Sequence, residues 1–373
     1  MDEGFDKAAR TLTTLLQDPE MECRGVTLLL EAFEAFLGND ALGPLLCEQP
    51  IADDFAEALN LKLYDVGWDV RDSVVEFVGR LFAKVDHSYP GVEFAIRYNL
   101  PLAVLDKITD SEAYVRASCL NTYQAIMKHP RGWDHILANQ LQLKVVSHLP
   151  ALLHDSEAFV RRAALEAMVC LVRDQSCGAV LMEGKEEVVS PADMAKIMDD
   201  MDWEVKIRGC QFLEALWDCD ERSMDGNKRQ RRGLAEDAGS NEMEDVPYQA
   251  AQPTWFYRMQ GDQLLLEAVQ DPARLVRQSI LLILRRIHAS LSPPLASASR
   301  KRASHAPTSA QDADLLCRIQ QVDFDRLEAS VSVEHLYQEA MEVDREGVDE
   351  EMMRVGEELQ LDSLDLKISM DVD

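Results

Sequence analysis

A short motif that combines an aspartate, a valine and a basic residue recurs four times at a constant interval of 45 residues. In each copy the valine follows the aspartate by five positions, and the basic residue comes next. The copies are Asp65–Val70–Arg71, Asp110–Val115–Arg116, Asp155–Val160–Arg161 and Asp200–Val205–Lys206. A period of about 40–47 residues is typical of HEAT and armadillo repeats, which are hairpins of helices. The motif therefore predicts a stack of such hairpins.

Two further copies bracket these four. The N-terminal copy contains Asp18 and Arg24, and the C-terminal copy contains Asp271, Val276 and Arg277. The C-terminal copy comes later than the period requires, which indicates an inserted segment before it. Together the copies predict about six helical-hairpin repeats.

Apolar residues recur at helical spacing on both sides of the aspartates. Before Asp65 they include Phe55 and Leu59, and after it Val70 and Val74. A helix with one apolar stripe cannot bury that stripe alone, whereas stacked hairpins bury their stripes against one another. The predicted fold class is therefore an all-α solenoid of the HEAT or armadillo type. We also expect the turn aspartates to cap the second helix of each hairpin.

Composition divides the rest of the chain into segments. Residues 1–220 are assigned to repeats one to five, and residues 254–291 to the terminal repeat. Residues 221–253 have a polar, Gly-containing composition with little periodicity, which predicts a disordered insertion. Residues 292–313 are rich in Pro, Ser and Ala, which predicts a disordered linker. Residues 314–373 form an acidic tail.

The fixed aspartate and basic residue in every copy predict a ladder of ion pairs between neighbouring repeats. We interpret the arginines as structural, because 67 acidic against 38 basic residues give a net charge of −29 and nucleic-acid binding requires clustered basic residues. Trp68 and Trp203, three periods apart, are interpreted as core or ridge residues rather than a base-stacking platform. The predicted ladder residues are Asp65, Arg71, Asp110, Arg116, Asp155, Arg161, Asp200, Lys206, Asp271 and Arg277.

A basic cluster lies inside the predicted insertion. It contains Lys228, Arg229, Arg231 and Arg232 in otherwise acidic and polar surroundings. A basic cluster in a flexible loop is typical of a nuclear localisation signal. The alternative is a solvated basic loop without that role.

The tail has two distinct patterns. An amphipathic helix is predicted by the spacing of Leu315, Leu316, Ile319, Val322 and Leu327. The last residues alternate apolar with mostly charged side chains, and this period of two predicts an extended peptide suited to a partner's groove or sheet edge. Plain disorder is the alternative. The residues predicted to bind a partner are Leu364, Leu366, Ile368, Met370, Asp371, Val372 and Asp373.

Sequence motifs of catalysis are missing. The chain has no G-x-G-x-x-G, P-loop, G-x-S-x-G or H-E-x-x-H motif, and its Cys and His residues lack zinc spacing. We therefore expect no enzymatic activity, no cofactor and no metal. The scattered cysteines, together with the absence of a signal peptide or a long apolar run, predict an intracellular protein that does not bind membranes.

Four segments resemble the C-terminal half of the BRAT family, a group of HEAT-repeat proteins that associate with a breast-cancer susceptibility protein and activate the ATM kinase. They are VRDSVVEF at 70–77, DSEAYVRAS at 110–118, DSEAFVRRA at 155–163 and MDWEVKIRG at 201–209. The resemblance covers most of residues 50–345.

The resemblance implies a non-enzymatic scaffold of the DNA-damage response, found in the nucleus and the cytoplasm. The implied partners are the ATM pathway, the breast-cancer susceptibility protein and the endonuclease module of the Integrator complex. In the family a terminal Cys-Tyr is thought to reach the metal site of the nuclease. Here Asp371 and Asp373 occupy the end of the tail instead.

Two other functions remain compatible with these patterns. One is a nuclear-transport or trafficking adaptor of HEAT type. The other is an inhibitor that acts on a nuclease partner through the tail. The inhibitor hypothesis predicts that deletion of residues 355–373 abolishes binding to a nuclease partner and leaves the melting of the helical array unchanged.

Overall fold

The computed structural model describes residues 3–84, 89–173, 188–237, 254–292 and 309–332. Within these ranges the chain forms eighteen α-helices and no β-strand. It divides into two compact units, Met1–Leu264 and Leu265–Asp373.

Five helical hairpins make up the first unit. Their helices are α1 (Glu3–Gln17) with α2 (Cys23–Leu37), α4 (Ile51–Leu63) with α5 (Trp68–Ala83), α7 (Leu100–Leu105) with α8 (Ala113–Lys128), α10 (Leu141–Leu152) with α11 (Ala158–Arg173), and α12 (Pro191–Met198) with α13 (Trp203–Asp237). A 3₁₀ turn at Asp106–Thr109 extends α7. Short linking helices are α3 (Leu42–Leu46), α6 (Pro90–Arg97) and α9 (Pro130–Ala138), and α14 (Trp255–Arg258) follows α13.

The second helices of the hairpins pack against one another in chain order, from α2 through α5, α8 and α11 to α13. Their buried sides carry the predicted apolar stripes, for example Val74 and Phe77 on α5. Phe33 and Phe55, from neighbouring hairpins, stack at 3.8 Å between ring centroids inside this core. The stacked hairpins confirm the predicted all-α solenoid of HEAT or armadillo type.

Prolines and left-handed residues mark where helices begin. The helices α6, α7, α9 and α12 carry a proline in their first two positions, where the missing N–H leaves no bond unmade. Asn99, Gln140 and Gln260 have positive φ angles of 52°, 55° and 57°. Each lies between a short helix and the next helix, which begins at Leu100, Leu141 or Gly261 respectively.

One close helix contact requires a glycine. Gly79 lies on α5 where α8 approaches, and a Cβ atom there would lie 2.7 Å from Thr122 Oγ1. The Thr122 hydroxyl crosses the same gap and donates a hydrogen bond to the carbonyl oxygen of Val75 at 2.9 Å. The small residue thus sets the spacing of two neighbouring repeats.

The second unit is built around the long helix α16 (Arg274–Leu291), which is preceded by a 3₁₀ turn at Ala268–Gln270. Helix α15 (Gly261–Glu267) contains the boundary between the units. Two helices of the predicted tail, α17 (Ala310–Gln320) and α18 (Phe324–Val331), pack against α16. Leu281, Leu327 and Val331 form the centre of this small core.

Two helices cross the segment boundaries drawn from composition. Helix α13 continues to Asp237 and therefore extends past residue 220 into the predicted insertion, where the sequence contains helix-favouring Met, Lys, Arg and Glu residues. Helix α17 begins before residue 314, because Ser309 and Asp312 form a reciprocal capping box. Residues 238–253 and 293–308 lie outside the described residues.

Candidate interaction surface

Each ladder arginine joins two consecutive repeats. Arg71 donates from Nε to Asp110 Oδ2 at 2.8 Å and from Nη2 to Asp110 Oδ1 at 2.6 Å. Its Nη1 donates to the carbonyl oxygens of Asp65 at 2.9 Å and Val66 at 3.2 Å. One guanidinium therefore closes the turn of its own repeat and binds the carboxylate of the next repeat through a fork of two bonds.

The same arrangement recurs twice more along the first unit. Arg116 forms the two-bond fork with Asp155, and Arg161 forms it with Asp200, at N–O distances of 2.8–2.9 Å. In every case the arginine precedes its aspartate by 39 residues. These side chains are largely buried, since Arg71 is 12% and Asp110 is 8% exposed. The ladder therefore fixes the stacking of repeats and is not an open cationic surface.

The aspartates close turns rather than cap helices, contrary to the expectation from the sequence. Asp65 Oδ1 accepts from the backbone N–H of Gly67 at 2.9 Å, and Asp110 Oδ1 accepts from that of Glu112 at 3.0 Å. Gly67 and Glu112 are the residues at the N-cap positions, and neither makes a side-chain cap bond. Both carboxylate oxygens of Asp110 also accept from Arg71 of the preceding repeat, whereas the second oxygen of Asp65 accepts from Lys62.

The electrostatics of the ladder favour the charged pair. Burial alone would raise the pKa of Asp110, but hydrogen bonds from Arg71 and from the backbone of Glu112 lower that pKa below its usual value. The bond to Asp110 also raises the pKa of Arg71. Both groups therefore stay ionised at neutral pH.

Both ends of the ladder depart from the motif. At the first junction a buried lysine, Lys62 on α4, donates to the carbonyl oxygen of Asp18 at 2.8 Å and to Asp65 Oδ2 at 3.1 Å, whereas Arg24 is exposed. In the second unit Arg277 donates to the carbonyl oxygens of Asp271 and Pro272 and reaches Ser330. The motif could not reveal Lys62 or Ser330, because neither belongs to a copy of it.

Aromatic rings lie beside the ladder at the start of the second helices. Trp68 stacks on Tyr114 at 5.2 Å, and Tyr114 stacks on Phe159 at 4.9 Å, with ring planes about parallel. We call these three residues the aromatic ridge. Trp68 is 40% and Tyr114 is 56% exposed. Trp68, which the sequence predicted to be a core or ridge residue, is thus part of a ridge. Tyr114 and Phe159 could have been found from the sequence, because each follows the aspartate of its motif copy by four positions.

The described residues contain no group of three or more Cys, His, Asp or Glu side chains that could hold a metal ion. Cys119 is buried and donates to the carbonyl oxygen of Val104 at 3.2 Å, and burial raises the pKa of its thiol. A buried thiol that remains protonated is a poor nucleophile. The ion pairs of the ladder are suited to holding the surfaces of successive repeats in fixed relative positions.

Two sets of predicted functional residues belong neither to the ladder nor to the aromatic ridge. The basic cluster Lys228, Arg229, Arg231 and Arg232 lies on the backbone of α13, so the expected flexible loop is replaced by a helix over these residues. The predicted partner-binding residues Leu364, Leu366, Ile368, Met370, Asp371, Val372 and Asp373 lie outside the described residues.

In the part of the chain that the structure describes, no helix combines the length and the apolar character needed to cross a bilayer.

Comparison with known proteins gives a family match over most of the chain. The model of the family described as Integrator complex assembly factor BRAT1 matches residues 44–371. The Danio rerio protein of that description is 27% identical over 207 residues, which cover 55% of this chain and 24% of the relative. The Mus musculus protein is 30% identical over 163 residues, which cover 42% of this chain and 19% of the relative. The aligned part thus spans a quarter or less of each relative.

The solved structures that resemble this chain include engineered proteins. A designed armadillo repeat protein has a TM-score of 0.48 and 13% identity, and covers 74% of this chain and 97% of its own. Another engineered protein has a TM-score of 0.48 and 12% identity, and covers 76% of this chain and 98% of its own.

Proposed function

This chain belongs to the family of the Integrator complex assembly factor BRAT1, and from that premise we propose that it is a protein-binding scaffold for subunits of the Integrator complex. The proposal makes the chain a holder of other proteins rather than an enzyme. We propose that the chain binds the endonuclease module of the complex, the partner implied by the sequence resemblance.

The ladder is the observation that carries the scaffold proposal. Buried forks such as Arg71 with Asp110 hold successive hairpins in one register. A solenoid held in this way keeps the side chains on its surface at fixed separations over several repeats, which is what a scaffold requires. The arginines are engaged in the fold, so binding depends on other surface residues.

Co-purification tests the proposal directly. The full chain, carrying an affinity tag, is expressed in cells and isolated, and the bound proteins are identified by mass spectrometry. We expect enrichment of Integrator endonuclease subunits over a matched preparation of the tag alone. Enrichment of an import GTPase with no Integrator subunit would instead support the transport-adaptor alternative and contradict the proposal.

The role of the tail requires a separate comparison. If the tail binds the nuclease, deletion of residues 355–373 abolishes capture of the endonuclease subunits and leaves the thermal unfolding of the helices unchanged. Full capture by the deletion variant would show that the tail is dispensable. The solenoid alone would then be the binding element.

The links to ATM signalling, to the breast-cancer susceptibility protein and to both nucleus and cytoplasm stay predictions from the resemblance. Imaging of the tagged chain, with and without Lys228→Ala and Arg229→Ala, tests the nuclear part. Retention in the nucleus after these substitutions would contradict a localisation role for the basic cluster.

A further inference from the structure

We propose that the aromatic ridge of Trp68, Tyr114 and Phe159 binds a basic amphipathic segment of a partner protein. The inference goes beyond the proposed Integrator contact, because it specifies a surface of the first unit and the chemistry of its ligand. It shares with that proposal only the requirement for a protein partner.

The ridge is a continuous apolar surface. Its ring stacks cross from α5 to α8 and from α8 to α11, so three repeats contribute to one strip. In the turn that follows Asp200, which Arg161 binds, Met201 is fully exposed. Isolated exposed apolar side chains are common on soluble proteins, whereas contiguous ones mark interaction sites.

The chain places further apolar groups at the near end of the strip. Val66 is 98% exposed in the turn that precedes Trp68. Tyr64 is also exposed, and one face of its ring is covered by Lys107 Nζ at 3.5 Å from the centroid. The chain's own Lys107 thus occupies one face of this ring.

The charge of the ridge selects a basic ligand. Each ladder fork is neutral in itself, since one arginine faces one aspartate. The exposed carboxylates Asp69, Glu112 and Glu157 then remain at the starts of α5, α8 and α11. The positive ends of these helices offset about half a charge each, so the starts of these three helices stay net negative.

The chain's own acidic tail is a poor ligand for this surface. From Asp312 to Asp373 it carries 19 acidic and 5 basic residues, and like charges repel. A partner segment with leucine-like side chains for the rings and lysine or arginine for the carboxylates satisfies both features. The partner is therefore assigned as a basic amphipathic peptide of another protein.

The stacked rings also hold repeats together, and the test must separate this role from binding. The probe is a fluorescein-labelled amphipathic peptide made of lysine and leucine, titrated against the full chain and read by fluorescence anisotropy. A glutamate–leucine peptide of the same length and an all-lysine peptide serve as comparisons. We expect the lysine–leucine peptide to bind at least about tenfold more tightly than either.

Variants locate the binding. Tyr114→Ala is expected to weaken binding about tenfold or more, as for a central interface aromatic, and Tyr114→Phe is expected to bind like the original chain because the ring remains. The matched control is Leu143→Ala, another exposed apolar residue, which is 44% exposed on α10. Equal affinities of Tyr114→Ala and Leu143→Ala would overturn the proposal.

Two double variants test the proposal even if Tyr114→Ala fails to fold. Glu112→Gln with Glu157→Gln removes two exposed charges beside the ridge, and Glu20→Gln with Glu57→Gln removes two exposed charges elsewhere. We expect only the first pair to weaken binding. Equal effects of the two pairs, or equal binding of the glutamate–leucine peptide, would show non-specific attraction and contradict the proposal. Integrator subunits are not used, so this inference and the proposed function fail separately.

Discussion

Arg277 donates two hydrogen bonds to Ser330, from Nε to the hydroxyl oxygen at 3.2 Å and from Nη2 to the carbonyl oxygen at 2.9 Å. The same two nitrogens of Arg71 bind the carboxylate of Asp110. Helix α18 thus receives the arginine of the last motif copy, as the turn of a following repeat would. Arg274 adds a bond to the carbonyl oxygen of Val331 at 3.0 Å.

We predict that Arg277→Ala loosens α18 from α16. The substitution leaves the partly buried oxygens of Ser330 without their donor, at a cost of about 1–3 kcal/mol. Amide hydrogen exchange over Phe324–Val331 should then accelerate about tenfold or more. Ser290→Ala is the control, because its hydroxyl bonds to the carbonyl oxygen of Ile287 within α16. Equal exchange in the two variants would contradict the role of Arg277.

The fork between Arg71 and Asp110 gives a second prediction. Asp110→Asn keeps an oxygen that can accept in the turn and should lower the free energy of unfolding by about 1–3 kcal/mol. Arg71→Met also leaves the carbonyl oxygens of Asp65 and Val66 without their donor and should lower it by about 3–5 kcal/mol. Urea unfolding followed by circular dichroism measures both. Arg10→Ala, which removes an exposed pair with Asp6, should have no measurable effect. A larger loss in Asp110→Asn than in Arg71→Met would refute this ranking.

The effect of Asp110→Asn should depend on pH. Because the folded protein lowers the pKa of Asp110, its carboxylate contributes stability above the usual value of 3.8, and this stability is lost as the pH falls through the lowered value. The original chain and the variant should therefore converge in strongly acidic solution. A difference in stability that stays constant from neutral to acid pH would show that charge plays no part.

Much of the fold follows from the sequence because the motif repeats. The constant period of 45 residues placed Asp110, Asp155 and Asp200 at equivalent turns, and packing of equivalent turns brings each within reach of the preceding arginine. The apolar stripes of α5 and α8 likewise follow from spacing alone.

The remaining features depend on tertiary structure rather than on period. Lys62 takes the place expected of Arg24 at the first junction. It lies on α4, the first helix of its hairpin, whereas the motif arginines lie on second helices, so comparison of the motif copies does not detect it. Ser330 meets Arg277 through a tail helix that lies 53 residues away. The ridge requires the relative positions of rings on three helices, so the sequence indicated only that Trp68 lies near a ridge or core.

Asp72 on α5 provides a prediction of opposite sign. Burial raises the pKa of this carboxyl, although a hydrogen bond from Ser118 opposes the shift, and its Oδ1 has no hydrogen-bond partner among the described residues. Because the folded pKa is raised above 3.8, the ionised group destabilises the fold at neutral pH, and this penalty is relieved as the pH falls through the raised value.

We therefore expect Asp72→Asn to raise the melting temperature at pH 7 by about 2 °C, and the gain should disappear in acid, where Asp72 itself becomes neutral. Melting curves at both pH values measure this. Glu57→Gln removes an exposed charge on α4 and should show no such pH-dependent gain. A gain of equal size at both pH values would mean that the amide acts through packing instead.

Two helical glycines should respond oppositely to alanine. Alanine normally stabilises a helix relative to glycine by about 0.5–1 kcal/mol. At Gly25 a Cβ would meet only the flexible side chain of Met21, whereas at Gly79 it would meet Thr122 of the neighbouring repeat, including its Cα at 3.4 Å. Gly25→Ala should therefore be neutral or stabilising, and Gly79→Ala should cost about 1–3 kcal/mol because α5 and α8 must separate.

Thr122→Ser separates the causes of that loss. It removes a methyl group but keeps the hydroxyl that bonds to Val75. Since the hydroxyl oxygen is the nearest atom to the added Cβ, at 2.7 Å, Thr122→Ser should not rescue Gly79→Ala, whereas Thr122→Ala should rescue part of it. Thermal unfolding of the single and double variants gives the coupling between the two positions. Additive effects would show that contact between these helices does not limit the residue at position 79.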